Sequence, residues 1–236
     1  MNILSIDFDF FQNIPYDVLK SYPDGIDLPI QLSNAVWAGR LATEKSQLDK
    51  VSFDDTNFEI IKKTIRNQNP HTPIYIASSH KEAYPFVNDM LLHFRQMRTN
   101  LINIDLHHDL INENEKVDCG NWIGHLLEEK KIQHFAWIAK KLSQRVYGLS
   151  DKEMEQMHGV FNTKKILNQT FDAIFVCRSN PWLHPKFDTK FDELLTLCYD
   201  TFNGNNIVVE NEIKQPREIP LKEMEGAISC LPHTQS

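Results

Sequence analysis

Leu101-Ile102-Asn103-Ile104-Asp105-Leu106-His107-His108-Asp109 decides how this chain is read. The stretch opens as a short apolar run, which describes a buried strand, and it passes directly into Asp-x-His-x-Asp. Side chains on a strand alternate between its two faces. Asp105, His107 and Asp109 therefore point the same way if the chain stays extended. Two carboxylates and an imidazole converging at a strand end suit a divalent cation. The alternative is a polar passage from strand to loop that holds no ligand.

Two other stretches repeat the pattern. Met1-Asn2-Ile3-Leu4-Ser5-Ile6 is a second apolar strand, and it ends in Asp7-Phe8-Asp9-Phe10-Phe11. The same alternation puts Asp7 and Asp9 on one face and Ile6, Phe8 and Phe10 on the other. Adjacent carboxylates repel and raise each other's pKa, a cost that a cation removes; solvated acids or a helix cap are the competing reading. Pro73-Ile74-Tyr75-Ile76-Ala77 then leads through Ser78-Ser79 to His80, where a helical pattern begins (Ala83, Phe86, Val87, Met90, Leu91). Three such motifs sit at carboxyl ends of predicted strands, where open α/β sheets gather their sites.

Outward from these motifs, strands are predicted at 2–7, 73–77, 100–105, 133–138 and 172–177. Helices are predicted at 30–43, 55–67, 81–96, 120–131 and 188–202. The stretch 141–168 reads as irregular and partly helical. The alternation predicts an α/β fold: a single-domain, three-layer α/β/α body with a mostly parallel sheet. One domain spans 1–236, and its tail from about residue 205 is peripheral, with a strand fragment at Ile207–Val209 and a short helix near 221–227.

The 236 residues are 41% hydrophobic and 24% charged, as in an ordinary globular chain, with a net charge of −7. That charge argues against nucleic acid and anionic membranes as partners. No apolar run approaches the ~20 residues of a membrane span. Cys119, Cys177, Cys198 and Cys230 are widely spaced, and no signal peptide precedes the first strand. Both features suit reduced thiols and a cytoplasmic location.

The motif set resembles the ureohydrolase superfamily of arginases, agmatinases and related deacetylases. That family builds a binuclear manganese site from a His after one strand, Asp-x-His-x-Asp after the next and Asp-x-Asp after a third. The match gives His80, then Asp105, His107 and Asp109, then Asp7 and Asp9. Here the Asp-x-Asp strand comes first instead of last, which looks like a circular permutation of an arginase-like fold. The closer resemblance is to bacterial peptide arginases, which convert arginine to ornithine in ribosomally made peptides. It rests on Ile6-Asp7-Phe8-Asp9-Phe10-Phe11, His80-Lys81-Glu82-Ala83-Tyr84-Pro85-Phe86, Asp105-Leu106-His107-His108-Asp109-Leu110, Gly120-Asn121-Trp122 and Cys177-Arg178-Ser179.

The resemblance implies two Mn²⁺ ions bridged by Asp105 and Asp7. His80 and Asp109 complete one coordination sphere, and His107 and Asp9 the other. Four aspartates and two neutral imidazoles balance two divalent cations. The implied substrate is an arginine-containing precursor peptide, hydrolysed to ornithine and urea by a metal-bridging hydroxide.

Several departures accompany the match. The family's proton-shuttling His is displaced to His125, which is a candidate shuttle or a helix-surface residue. The guanidinium-binding Glu before Asn-Pro is missing, because Arg178 and Ser179 precede Asn180-Pro181. Glu82 could supply that carboxylate, or it could simply stabilise a helix N-terminus. The acidic loop Asn112–Glu115 suits a peptide better than free arginine, and Trp122 and Trp182 are candidates to line an open cleft. His108 is expected outside the metal shell. Competing readings are a small-molecule amidinohydrolase or deacetylase, acting on agmatine or an acylated polyamine, and a metal-stabilised binding protein without turnover.

Overall fold

A computed structural model describes residues 1–19, 28–111, 116–147, 149 and 162–221. Its strands are β1 (Asn2–Asp7), β2 (Gln12–Asn13), β3 (Ser52–Phe53), β4 (Ile74–Ala77), β5 (Thr99–Ile104), β6 (Ile132–Ile138), β7 (Ala173–Cys177) and β8 (Ile207–Val209). The described α-helices are α1 (Tyr16–Leu19), α2 (Ile30–Thr43), α3 (Lys45–Leu48), α4 (Asp55–Arg66), α5 (Ala83–His93), α6 (Trp122–Glu128), α7 (Lys141–Val146) and α8 (Asp188–Thr201). Six strands form an all-parallel sheet in the order β6-β5-β1-β7-β4-β8, while β2 and β3 make a small antiparallel pair. The predicted α/β architecture with helices flanking a parallel sheet is therefore the observed one.

Parallel strands covered on both faces need apolar residues at successive positions. β7 shows this directly, since Ala173-Ile174-Phe175-Val176-Cys177 is buried throughout. On one face, Ile3, Leu101, Ala173 and Phe175 pack against Ala83, Phe86 and Val87 of α5 and Trp122, Ile123 and Leu126 of α6. On the other, Leu4, Ile6, Ile104, Ile174 and Val176 meet Trp37 of α2, Phe58, Ile61 and Ile65 of α4, and Phe191 and Leu194 of α8. In α4 the apolar positions recur at helical spacing. Asp54 caps its start by accepting from Asn57 N–H at 3.1 Å.

The connections explain where a site can form. β1 lies at the centre, paired to β5 on one side and β7 on the other. The chain leaves β1 for β4, two places away, and returns to β5 on the opposite side. Segments leaving the carboxyl ends of these strands therefore diverge and open a crevice above β1.

The part of the tail within the described residues begins as the edge strand of the sheet, because β8 pairs with β4. Beyond it, Arg217 donates to the carbonyls of Asn180 and Leu183, both at 2.9 Å, and pairs with Asp188. The short helix expected near 221–227, most of the irregular stretch after 147 and Cys230 lie outside the described residues. Cys119, Cys177 and Cys198 are free thiols. Among the described residues no helix is long and apolar enough to cross a membrane.

Phe8 sits fully buried beneath the crevice, its ring 5.1–5.9 Å from those of Phe11, Phe53, Phe58 and Phe191. Phe8→Ala is expected to destabilise the fold by about 3–5 kcal/mol, through lost burial and the cavity left behind. Denaturant unfolding checks this, and a midpoint unchanged from the parent would contradict the packing role.

Candidate metal centre

The acidic residues converge by a different route from the one strand alternation suggests. β1 ends at Asp7, and Phe8–Phe11 turn at once into a 3-10 helix. Asp7 caps that turn by accepting from Asp9 N–H at 3.1 Å. β5 ends at Ile104, so Asp105, His107 and Asp109 lie on a bend and not on an extended strand. Asp105 Oδ1 accepts from His107 N–H at 2.8 Å, and Asp109 adopts a left-handed φ of 55°. An aspartate that folds back on the backbone two residues later is a common turn former. Here that turn swings His107 toward Asp9 while Asp109 swings toward His80.

Two overlapping clusters result, Asp7–His80–Asp105 and Asp9–Asp105–His107. His80 Nδ1 lies 3.0 Å from Asp105 Oδ2, 3.1 Å from Asp109 Oδ2 and 3.2 Å from Asp7 Oδ2. His107 Nδ1 lies 3.4 Å from Asp9 Oδ2 and 3.5 Å from Asp105 Oδ1. Asp105 thus turns one oxygen to each imidazole. All four aspartates and His80 are at most 2% exposed.

This donor set fits divalent ions. An ion coordinated octahedrally at about 2.1 Å spaces neighbouring donors about 3.0 Å apart, close to the separations around His80. His80 Nδ1 nevertheless makes no hydrogen bond, and neither does buried Asp9 Oδ2. A buried nitrogen facing three carboxylates in this way is placed where it could share a cation with them. Carboxylates with some imidazole favour Mn²⁺-like ions over thiophilic ones.

The electrostatics point the same way. Burial, followed by repulsion from Asp105, raises Asp7 and pushes Asp109 up to about 7. Burial, then Asp7 and Asp105, holds Asp9 well above the usual carboxylate range. Burial would lower both imidazoles, but their carboxylate neighbours outweigh it and hold His80 and His107 well above normal. Asp105 is the opposite case. Burial alone would raise it, yet the imidazoles of His107 and His80 close beside it keep it below its ordinary value.

A cavity of about 260 Å³ opens over the clusters. Asp7, His80, His107 and Asp109 form part of its wall, with His108, Ile111, Cys119, Gly120, Tyr147, Ser179 and Trp182. Of the two tryptophans considered for a cleft, Trp182 lines it. Trp122 is fully buried instead and donates from Nε1 to Asp109 Oδ2 at 2.7 Å. His108 borders the cavity, and its Nδ1 accepts from Leu110 N–H at 3.1 Å.

The two candidate catalytic residues are placed elsewhere. His125 lies in α6 with its ring edge-on to Tyr84 at 6.3 Å, and Glu82 stands at the N-terminus of α5. Neither lines the cavity. Arg178 is turned away from it: its Nε donates to Asn180 Oδ1 at 2.5 Å and Nη2 to the Glu212 carbonyl at 3.3 Å. The acidic loop 112–115 lies outside the described residues.

Sequence reasoning missed two supporting residues. Ser5 Oγ sits 2.7 Å from His80 Nε2. Asn103 donates from Nδ2 to Asp105 Oδ2 at 3.2 Å and to Asp109 Oδ2 at 3.4 Å. Each is a buried polar residue flanked by apolar ones, two places before the first aspartate of its motif, and that interruption was the available signal.

No family model, curated protein or solved structure matches the chain. The buried Asp/His groups themselves are what could hold a metal ion.

A pH dependence follows. Asp7, Asp9, Asp109, His80 and His107 each bind protons more tightly folded than unfolded. Their stabilising effect is present at low pH and lost as pH rises through the folded values, for Asp109 between about 4 and 7. Metal-free protein is therefore expected to lose thermal stability across this range. A bound ion replaces those protons, so the Tm gain on adding Mn²⁺ should be larger at about pH 8 than at about pH 5.5. Equal gains at both values would argue against the cluster as the binding site.

Proposed function

We propose that this chain is a binuclear, manganese-dependent hydrolase of the guanidinium group of arginine residues in a ribosomally made peptide, releasing urea and leaving ornithine. The observation that carries this reading is the sharing of Asp105 by two buried Asp/His clusters beneath one cavity. The motif resemblance to peptide arginases supplies the substrate class and the expectation of a permuted arginase-like arrangement.

Asp7, His80, Asp105 and Asp109 would hold one ion, and Asp9, Asp105 and His107 the other. When bound, such a pair supplies a hydroxide nucleophile near neutral pH and compensates charge as it attacks. Water oxygen bonds to the guanidinium carbon, the bond from that carbon to the side-chain nitrogen breaks, and this nitrogen takes up a proton. The chain's own contribution is the wall. Trp182 and Tyr147 offer aromatic surface to a cation that stays protonated near neutrality. Ser179 adds a hydroxyl to the same wall, and the outward turn of Arg178 keeps its charge from opposing the substrate.

One observation favours a second reading. Beyond the aspartates, the described wall carries no carboxylate to pair with a guanidinium. That would suit a neutral acylated amine, hydrolysed to acetate and a free amine.

Incubation with Mn²⁺ and arginine-containing peptides is expected to lower peptide mass by about 42 Da per modified residue, with urea released. Asp105→Ala is expected to abolish both metal retention and the mass change. Acetate from acylated polyamines with intact peptides would assign the site to the second reading. Neither product, across several candidates of each kind with metal bound, would sink the hydrolase assignment.

A further inference from the structure

We infer that the two ion positions are unequal: the position at His80 fills first and holds its ion tightly, while the one at His107 exchanges readily. This rests on the two-metal reading above and concerns what stands behind each ligand. The ring nitrogen of a ligating histidine that does not face the metal is normally held by an outer partner, which fixes tautomer and orientation. His80 has one: Ser5 Oγ lies 2.7 Å from Nε2, in a strand where nothing else requires a hydroxyl. A proton on Nε2, donated to Ser5, leaves the Nδ1 lone pair facing Asp7, Asp105 and Asp109. The ring is also stacked on Phe175, at 5.7 Å and 6°, and lies 5.0 Å from Trp122. Trp122 in turn anchors Asp109, and Asn103 spans Asp105 and Asp109.

His107 has no such support among the described residues. Its Nε2 makes no hydrogen bond, and Asp9 Oδ2 makes none either. Apart from its carboxylate neighbours, the ring meets aromatic surface, 4.6 Å from Tyr147 and 4.4 Å from Trp182, both in the cavity wall. Its side chain is 19% exposed, against 2% for His80, and its carboxylate distances are longer, 3.4–3.5 Å against 3.0–3.2 Å. One position is preorganised, and the other must be ordered by the ion that enters it. Ser5 and Trp122 are thus positioning residues.

Mn²⁺ titration of the full chain, followed by calorimetry and electron paramagnetic resonance, tests this. The first equivalent is expected to give the spectrum of isolated ions. The second should bind roughly 10- to 100-fold more weakly and produce exchange-coupled pairs. Ser5→Ala and, separately, Trp122→Phe should weaken the first binding step by a similar factor. With diamagnetic Zn²⁺ in place of Mn²⁺, nitrogen NMR should show a single His80 tautomer that Ser5→Ala disturbs. His107→Asn should abolish only the second step. One common affinity, or a first step untouched by Ser5→Ala and Trp122→Phe, overturns the inequality while leaving the two-metal reading intact. No binding at all removes both.

Discussion

Four carboxylates buried within one small volume are the constraint around which this protein is arranged. Burial penalises each ionised aspartate, and proximity penalises the set. Two imidazoles cannot neutralise four such charges without leaving donors and acceptors mismatched, and the bare nitrogen of His80 marks that mismatch. Protons relieve part of the strain, and the two Asp/His groups are placed where divalent cations could relieve the rest. The parallel sheet makes the crowding possible, because β1, β4 and β5 all deliver their carboxyl ends to one crevice.

The sheet was legible because its strands are short apolar runs separated by helical periodicity, and because each key strand ends in an acid or a histidine. The aspartates and histidines that converge were legible for the same reason. The backbone route was not. Alternation assumes an extended chain, whereas Asp7 and Asp105 each turn the backbone by capping the residue two places on. Residues whose role depends on packing between distant elements were harder still. Trp122 was a candidate cleft residue although core packing is the commoner role for Trp, and only the approach of α6 to the loop after β5 makes it a donor to Asp109. His125 and Glu82 were chosen by spacing along the chain, and neither is among the residues that line the cavity.

The segment after β7 shows how one turn separates two opposed tasks. Ser179 has a left-handed φ of 55°, and its N–H donates to Cys177 Sγ at 3.1 Å. Arg178, just before it, points toward the Glu212 carbonyl and the face of Phe191, while Ser179 meets the cavity. A guanidinium of the protein is thereby removed from a site proposed to receive one. Arg217, clamped to Asn180 and Leu183, holds the same turn from outside.

The central place of β1 also governs the order in which the molecule can assemble. Its partners are far along the chain: Ile3 aligns with Leu101 on one side and with Ala173 on the other. Neither edge can pair until those distant segments exist, and contacts of such separation form slowly because long loops must close first. During synthesis β1 thus emerges long before it can be completed on both sides. The strand that carries Asp7 and Asp9 depends throughout that interval on the chain that follows, so the Asp/His groups come together only late in the life of the nascent protein.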